Sequence, residues 1–444
     1  MIEGHIKRSI LLFALPIFLG QLMQQLYNIA DSIIVGKCIN AVALAAVSAT
    51  GSLIFLFTGF VQGLFVGMGV IIGIRFGAGD YKALSKAAHT GVAFGFIAGF
   101  AMTVAGVALT PWVLELMGTP DDVMGDAVLY LRIFFIGGIF SVVYNTCCGV
   151  FQAVGDSRHP LYYLVISSLL NIALDMLFIM VLGIGIAGAA IATVIAQLVA
   201  ALLAFTKLLR VDGPHRISIK EIKIDVSMLK DELALGIPSG IQNSVISLAN
   251  VIVQANINAF DSLAMAGCGS YSKLEGFAFL PIVSFAMALT TFVSQNIGAR
   301  QYDRARSGAR FGILSGVIGA EIIGAIMFIF APFFISFFSD DPEVIAFGVK
   351  QAHVECLFYC LLSYNHTMAG VLRGAGKTKV PMAVMLICWC LIRITYITIA
   401  VRLVPVITTI FIAYPLTWSL SAILFTIYYL KVKVLRDPRE NVKI

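Results

Sequence analysis

Long apolar stretches, separated by short charged or glycine- and proline-containing segments, recur along the whole of this chain. Of its 444 residues, 59% are hydrophobic and 12% are charged, whereas soluble domains carry about 25% charged residues. A helix needs about 20 apolar residues to cross the hydrocarbon layer of a membrane. Backbone N–H and C=O groups must pair with each other there, so such stretches must be helical. The sequence therefore predicts an all-α integral membrane protein.

The sequence contains twelve such stretches, which predicts twelve transmembrane helices. They lie at about 9–35, 45–75, 87–110, 127–150, 160–182, 187–208, 231–259, 267–297, 311–334, 345–371, 380–402 and 406–430. The first stretch has a basic flank, as signal peptides do. It is longer than a signal peptide, contains several polar residues and lacks a small-residue cleavage site, so we expect it to remain in the mature protein.

The lysines and arginines indicate how the chain crosses the membrane. An even number of helices puts both termini on the same side. If that side is the cytoplasm, the inner segments hold 24 of the 30 basic residues, as the positive-inside rule requires. We therefore predict a multi-pass protein of the inner (plasma) membrane with both termini in the cytoplasm. The net charge of +6 comes from these separate basic loops and not from a continuous groove, so we expect no nucleic-acid partner.

The second half of the chain repeats the first at a spacing of about 221 residues. The repeat aligns glycine, alanine, tyrosine and proline positions: Gly77-Ala78 with Gly298-Ala299, Tyr81 with Tyr302, and Pro16 with Pro238. We predict two pseudo-symmetric six-helix lobes at residues 1–210 and 229–444, joined by a cytoplasmic linker at 211–228. Because each lobe has an even number of spans, both keep the same orientation in the membrane.

Two carboxylates, Asp31 and Asp175, lie inside apolar stretches of the first half. A charge at the centre of a bilayer costs about 2.5 to 3.5 kcal/mol, so such residues usually face a partner or a watery cavity. Helical spacing places further polar side chains on the same faces. They are Gln21, Gln24 and Asn28 beside Asp31 on the first helix, Ser168 and Asn171 beside Asp175 on the fifth, and Thr193 and Gln197 on the sixth.

Carboxylates combined with amide and hydroxyl oxygens are the ligands that a hard cation such as Na⁺ prefers. A buried carboxylate can instead hold a proton, because burial disfavours its charged form. The first lobe is therefore predicted to bind a coupling ion, H⁺ or Na⁺, and the pattern does not distinguish the two. Interhelical hydrogen bonding is the alternative role for the amides and hydroxyls. We expect no cofactor and no metal ion other than Na⁺.

The second lobe repeats the polar face without the carboxylates. The seventh helix carries a row of neutral polar residues: Asn243, Ser247, Asn250 and Gln254. Val253 stands where the repeat would place a counterpart of Asp31, and the tenth helix adds Tyr364 and Asn365. Neutral amides and aromatic rings suit a cavity for a broad organic substrate, and core packing accounts for the aromatic rings equally well. These residues are the candidate substrate cavity.

Together these features resemble the multidrug and toxic compound extrusion (MATE) family, and are closest to its DinF-like branch. The resemblance rests on several segments: residues 16–36 (PIFLGQLMQQLYNIADSIIVG), the Gly77-Ala78 loop with its repeat near Gly298, residues 149–160 (GVFQAVGDSRHP) and residues 370–381 (GVLRGAGKTKVP). The NorM-like branch carries carboxylates on the seventh and tenth helices, where this chain has neutral residues along the seventh helix and Tyr364 and Asn365 in the tenth.

The resemblance implies an antiporter of twelve helices in two lobes shaped as an inverted V, working by alternating access. It would export cationic or amphipathic organic compounds in exchange for H⁺ or Na⁺. It places the coupling-ion site on Asp31, Asn171, Asp175 and Thr193. The first helix lacks one backbone hydrogen bond at Pro16, so we expect its hinge there.

Other functions stay open on the sequence. A lipid-linked oligosaccharide flippase of the same superfamily would be expected to line its cavity with Arg and Lys to hold pyrophosphate, whereas this cavity has acids. An intramembrane enzyme or a passive channel is a further alternative, although no Ser/His/Asp or Cys/His constellation is evident. We expect a transporter and not an enzyme: a monomer in the lipid bilayer whose partners are small organic substrates.

Overall fold

The computed structural model describes residues 1–39 and 41–437, and this part of the chain is helical with no strand. The helices in chain order are α1 (Ile6–Cys38), α2 (Ala41–Gly77), α3 (Tyr81–Leu116), α4 (Asp121–Ile136), α5 (Gly138–Ala153), α6 (Arg158–Asp175), α7 (Ile186–Arg210), α8 (Val226–Asn258), α9 (Ser262–Gly298), α10 (Tyr302–Ser336), α11 (Pro342–Glu355), α12 (Tyr359–Gly374), α13 (Lys379–Met385), α14 (Arg393–Leu403) and α15 (Thr408–Val432). The predicted all-α class is confirmed.

The helices follow the twelve predicted stretches in order. By length and composition, ten helical segments among the described residues can cross a membrane. An eleventh is formed if α4 and α5, which bend by 46° at Gly137, make one span. The remaining stretch is α8, whose second turn is charged and whose later turns carry amides. Two spans contain a π-helical segment, Met176–Val181 after α6 and Leu386–Ile392 between α13 and α14.

The chain folds as two compact units. One comprises Leu19–Gly236, and the other comprises Met1–Phe18 together with the chain from Ile237 onward. Both boundaries lie inside a helix, so α1 and α8 each begin in one unit and end in the other. The predicted lobes at 1–210 and 229–444 were drawn from the repeat and remain a prediction. Residues 438–444, with two of the 24 inner basic residues, Arg439 and Lys443, lie outside the described residues.

The segment before α8 is fastened to α3 by polar contacts. Lys86 Nζ lies 2.7 Å from a carboxylate oxygen of Asp225, and this hydrogen bond lowers the pKa of that carboxyl. The backbone N–H of Asp225 donates to Thr90 Oγ1 at 3.2 Å, and that of Ser218 donates to His89 Nε2 at 2.9 Å. These bonds fix the chain where it enters α8.

Glycines let α8 approach α2 closely. A Cβ atom on Gly67 would lie 2.1 Å from the backbone nitrogen of Gly236, and one on Gly236 would lie 2.4 Å from the carbonyl oxygen of Leu64. No side chain fits at either position without separating the two backbones. Small residues of this kind allow membrane helices to pack by van der Waals contact.

We expect Gly67→Ala to destabilise the protein by about 1 to 3 kcal/mol, the usual cost of overpacking a well-filled contact. The measurement is the thermal midpoint of the detergent-purified protein. Gly51→Ala is the matched control in the same helix, because a Cβ there meets nothing within 4 Å. Equal midpoints for the two variants would contradict the close approach of α2 and α8.

Candidate functional site

Two buried carboxylates lie at the centre of the candidate site. Asp31 on α1 is 8% exposed, and Asp175, the last residue of α6, is 0% exposed. None of the ion pairs between described residues includes either carboxylate. The two are close enough to interact electrostatically with each other. The two acids thus lie in one buried region, and no cationic side chain of the described residues forms an ion pair with either.

The other two residues that the family resemblance names lie beside each other on α6 and α7. The side-chain amide of Asn171 donates to Thr193 Oγ1 at 3.4 Å, and the Thr193 hydroxyl donates to the carbonyl oxygen of Ala189 at 3.1 Å. Asn171 is 2% exposed. Its carbonyl oxygen and one hydroxyl lone pair of Thr193 therefore remain as acceptors, which is the chemistry a cation requires.

Several oxygens of the cluster have no hydrogen-bond partner among the described residues. They are Asp31 Oδ1, Ser168 Oγ, Asn171 Oδ1, Gln197 Oε1 and both carboxylate oxygens of Asp175. Leaving a buried polar group unsatisfied costs about 1 to 3 kcal/mol, and more for a charged group. A set of acceptors without donors is stabilised by a proton on the carboxylates or by a hard cation among the oxygens.

Two tyrosines that the sequence analysis did not single out belong to this cluster. Tyr27 on α1 and Tyr130 on α4 each lie within electrostatic reach of both Asp31 and Asp175. Gln24 is hydrogen-bonded to Tyr27. Tyr27 could have been found, since it lies one helical turn before Asp31 on the same face. Tyr130 carries no such signal, because a lone aromatic residue in an apolar helix is typical of core packing.

The remaining predicted residues of the α1 face are less enclosed. Gln21 and Gln24 are half-buried, and Asn28 is exposed, with its carbonyl oxygen accepting from the Ser32 hydroxyl at 2.9 Å. The structure therefore pairs Asn171 with Thr193 and places Asp175 within electrostatic reach of Asp31. Ser168 and Gln197 each carry a buried oxygen without a hydrogen-bond partner among the described residues. It does not place Asn28 in the buried cluster.

Asp175 stands at the junction of two kinds of helix. The α-helical turns of α6 end with it, and the π-helical segment Met176–Val181 begins at the next residue. Such π-turns are uncommon and frequently occur at functional sites. The sequence gives no sign of this segment, since its six residues are ordinary apolar ones.

The predicted substrate residues of α8 form bonds largely within their own helix. The Ser247 hydroxyl donates to the carbonyl oxygen of Asn243 at 2.9 Å, and the Gln254 amide donates to Asn258 Oδ1 at 2.8 Å. Asn250 is exposed. These contacts leave the face polar and locally satisfied, in contrast to the unpaired oxygens around Asp175.

The predicted substrate residues of α12 connect to α15. The hydroxyl oxygens of Tyr364 and Thr426 lie 2.6 Å apart, and the Asn365 amide donates to the carbonyl oxygen of Trp418 at 2.9 Å. Asn365 is 0% exposed. These two contacts join α12 to α15.

A second buried acid, Glu355, was not singled out from the sequence. It is 0% exposed, and it accepts hydrogen bonds from Gln351 at 2.9 Å and from the Tyr271 hydroxyl at 3.3 Å. In the same unit, buried Arg393 donates to Thr417 Oγ1 at 2.8 Å and lies over the ring of Tyr414. Glu355 and Arg393 thus have neutral polar partners, whereas the carboxylate oxygens of Asp175 have no hydrogen-bond partner among the described residues.

The unpaired state of Asp175 generates a stability prediction. We expect Asp175→Asn to raise the thermal midpoint at alkaline pH, because the neutral amide replaces an ionised carboxylate. A buried neutral group without a partner costs about 1 to 3 kcal/mol, and a charged one costs more. The gain should shrink at acidic pH, where the wild-type carboxyl is protonated. Melting curves of the purified protein at both pH values measure this effect.

The control for that measurement is Asp122→Asn, which changes an exposed carboxylate in the first turn of α4. It should leave the midpoint nearly unchanged or lower it slightly, since an acid there interacts favourably with the helix dipole. If the thermal midpoint of Asp175→Asn equals that of the wild type at every pH, the Asp175 carboxylate is not an unsatisfied buried group.

Comparison with known proteins finds one protein family along most of the chain. The MatE family profile matches it twice, at residues 16–177 and 238–399, so the two matches begin at the repeat-related prolines. Among curated relatives, the probable multidrug resistance protein YoeA of Bacillus subtilis is 28% identical, over 96% of this chain and 94% of its own length. The probable multidrug resistance protein NorM of Thermotoga maritima is 26% identical, over 86% of this chain and 83% of its own.

Solved structures match the fold closely. A MOP superfamily transporter from Pyrococcus furiosus superposes with a TM-score of 0.92 at 23% identity, over 98% of both chains. An outward-facing multidrug resistance MATE family transporter gives 0.91 at 23% identity, over 98% of this chain and 97% of that one. The predicted fold, twelve helices in two six-helix bundles, is confirmed by these matches. Because the two family matches together span most of its length, the chain belongs to the MatE family.

Proposed function

We propose that this protein is a secondary active multidrug exporter, which expels cationic or amphipathic organic compounds by antiport with H⁺ or Na⁺. The observation that carries the proposal is the pair of buried carboxylates, Asp31 and Asp175, three of whose four oxygens have no hydrogen-bond partner among the described residues. Membership of the MatE family supports it, as do relatives named for multidrug resistance. The proposal includes a monomer in the inner membrane with both termini in the cytoplasm.

The coupling step follows from the charge of the carboxylate pair. While both are ionised, they repel each other in a region of low dielectric constant, where Coulomb interactions are strong. A proton or a sodium ion entering from outside neutralises this repulsion and supplies the missing donor or cation. The helices that carry Asp31 and Asp175 can then approach, whereas they separate again when the ion leaves. Ion occupancy is thereby linked to the arrangement of α1 and α6.

Pro16 is proposed as the point about which α1 moves. It lies inside the helix and removes one backbone hydrogen bond. The boundary between the two compact units follows Phe18, two residues beyond it. A weakened turn at that position lets the part of α1 that carries Asp31 change direction without unfolding. Substrate enters from the cytoplasm before this movement and leaves to the outside after it.

The substrate cavity is proposed to include Asn243, Ser247, Asn250, Gln254, Tyr364 and Asn365. Amides, hydroxyls and an aromatic ring recognise organic molecules by shape and by dispersed hydrogen bonds. Several of these groups are already hydrogen-bonded to protein neighbours. The cavity therefore requires few hydrogen bonds of fixed direction from a substrate. That property fits a transporter that accepts many compounds.

The coupling site is tested by transport of a fluorescent cation in inside-out membrane vesicles under separately imposed proton and sodium gradients. We expect Asp31→Asn and Asp175→Asn each to reduce gradient-driven transport by about tenfold or more, because a neutral amide cannot exchange the ion that drives the cycle. Asp122→Asn is the control with an exposed carboxylate. Unaltered coupled transport by both cluster variants would overturn the assignment, and an uncoupled current would favour a channel.

The same assay separates the two ions through Thr193. Thr193→Val keeps the shape of the side chain and removes an oxygen ligand. It should weaken sodium-driven transport far more than proton-driven transport, since Na⁺ needs several oxygen ligands and a proton needs one acceptor. Equal loss under both gradients would exclude Thr193 as a sodium ligand and assign it a structural role.

We expect Pro16→Ala to slow transport while substrate binding is retained, because alanine restores the helical hydrogen bond and stiffens α1. The readouts are the transport rate in vesicles and the binding of the fluorescent cation to purified protein. Pro332→Ala is the matched control, since Pro332 also interrupts a long helix but is exposed and lies within a single unit. Wild-type transport by Pro16→Ala would refute the hinge.

A further inference from the structure

A third buried acid of the first unit, Glu232, is not explained by the proposed coupling site. It lies in the second turn of α8 and is 4% exposed. Its Oε1 atom has no hydrogen-bond partner, and no ion pair between described residues includes this carboxylate. It shares with Asp31 and Asp175 the property of a buried acid without a balancing charge.

Close helix packing encloses this side chain. The contact between Gly67 and Gly236 brings the first turns of α8 against α2. On the α3 side, a Cβ atom added to Gly91 would lie 3.6 Å from Glu232 Oε2 and 2.0 Å from the sulfur of Met68. The carboxylate therefore lies against the bare backbone of α3 at Gly91, next to a thioether. Neither neighbour can compensate a negative charge.

The ionisable groups on the surrounding elements are engaged elsewhere or point to water. On α3, Lys86 pairs with Asp225, and His89 accepts a hydrogen bond from Ser218. On α8 itself, Lys230 and Asp231 are exposed. The residues of α2 at this contact, Leu64, Gly67 and Met68, are not ionisable. No cation from these three elements neutralises Glu232.

Glu232 lies at a different depth from the coupling cluster. It follows the first residue of α8 by six positions, about 9 Å along the helix axis. Asp175 follows the first residue of α6 by seventeen positions, about 25 Å along its axis. The fifth and seventh spans, α6 and α8, begin on the same side of the membrane, and in the proposed orientation that side is the cytoplasm. Glu232 is therefore near the inner end of the same unit.

We propose that Glu232 is a second proton-binding group of the first unit, which exchanges its proton with the cytoplasm during the transport cycle. An isolated ionised carboxylate is expensive in apolar surroundings, so it binds a proton when enclosed. The carboxylate takes this proton from water and becomes a neutral acid, and it returns the proton to water when α8 or α3 moves. Its neighbour Asp231 is already exposed, which gives a short route to solvent. The exchange during transport rests on the proposed function, whereas the proton binding does not.

Infrared spectroscopy of the purified protein tests the proton binding directly. A protonated buried carboxyl gives a C=O stretch that a carboxylate lacks. The measurement is made in an Asp31→Asn, Asp175→Asn background, so that the coupling cluster contributes no such band. We expect a pH-dependent band that is lost in Glu232→Gln and retained in Asp231→Asn, the matched control one residue away. Other buried acids, such as Glu355, contribute equally to the background and to its Glu232→Gln derivative, so the Glu232 band is read from the difference between the two spectra. A difference spectrum without a pH-dependent C=O band would overturn the proposal.

Transport tests the exchange with the cytoplasm. If one titrating group limits the rate, the rate changes by up to about tenfold per pH unit. We expect export by the wild type to depend on cytoplasmic pH in this way, and Glu232→Gln to keep only the shallower dependence that proton release from Asp31 and Asp175 contributes. Glu232→Asp should restore the steeper dependence. A wild-type pH profile for Glu232→Gln would overturn the exchange.

The two measurements separate this proposal from the function on which it rests. If the wild type carries out no coupled transport, the proposed function fails, and so does the exchange during transport, while the infrared band still decides whether Glu232 binds a proton. If transport is coupled but Glu232→Gln behaves as the wild type, only the role of Glu232 fails. The thermal midpoint of Glu232→Gln checks folding, and it should equal or exceed that of the wild type because a buried unpaired acid is removed.

Discussion

Water is missing from the interior of a membrane, and every polar group placed there must find its partner within the protein. For the backbone this requirement leaves only helices in a chain of this composition. Because lipid and side chains are equally apolar, helices gain contact only where their surfaces approach closely. Glycines supply that approach in the first unit, where Gly67 meets Gly236 and Gly91 meets Met68. The same absence of water determines which side chains can serve as functional groups.

Buried ionisable side chains differ between the two units in whether they have hydrogen-bond partners. In the unit that contains α12, Glu355 accepts two hydrogen bonds and Arg393 is held by Thr417 and an aromatic ring. The hydrogen bonds and the ring contact hold these side chains in place and satisfy them without a bound ion. The carboxylate oxygens of Asp175 have none, so their free energy depends strongly on whether a proton or cation is present. That dependence is what a coupling site requires, since an ion can shift a conformational equilibrium only by its differential affinity for the two states.

The sequence predicted the helical class and the order of the twelve stretches, because these features follow from hydropathy over about 20 residues. It also predicted the repeat, because glycine, alanine, tyrosine and proline positions recur at a nearly constant spacing. It did not predict the bend at Gly137 or the π-helical segment after Asp175, which depend on packing between helices. At the site, spacing indicated Asn171 and Asp175 on one face. Tyr130 and Glu355 were not found, since only the tertiary structure shows what lies opposite them.

Glu232 shows why depth and enclosure must be read from the structure. In the sequence it stands between Asp231 and a leucine, two residues after a lysine, in a segment that looks like an ordinary charged helix start. Its burial is produced by glycines that are distant in sequence, Gly67 and Gly91, and by the contacts of Lys86 and His89 that hold the preceding segment on α3. Those contacts also occupy the positive charge of Lys86 with Asp225. An arrangement that encloses an acid while Lys86 is paired with another residue leaves protonation as the least costly way to keep α8 packed. The packing of α8 is thereby linked to the proposed proton.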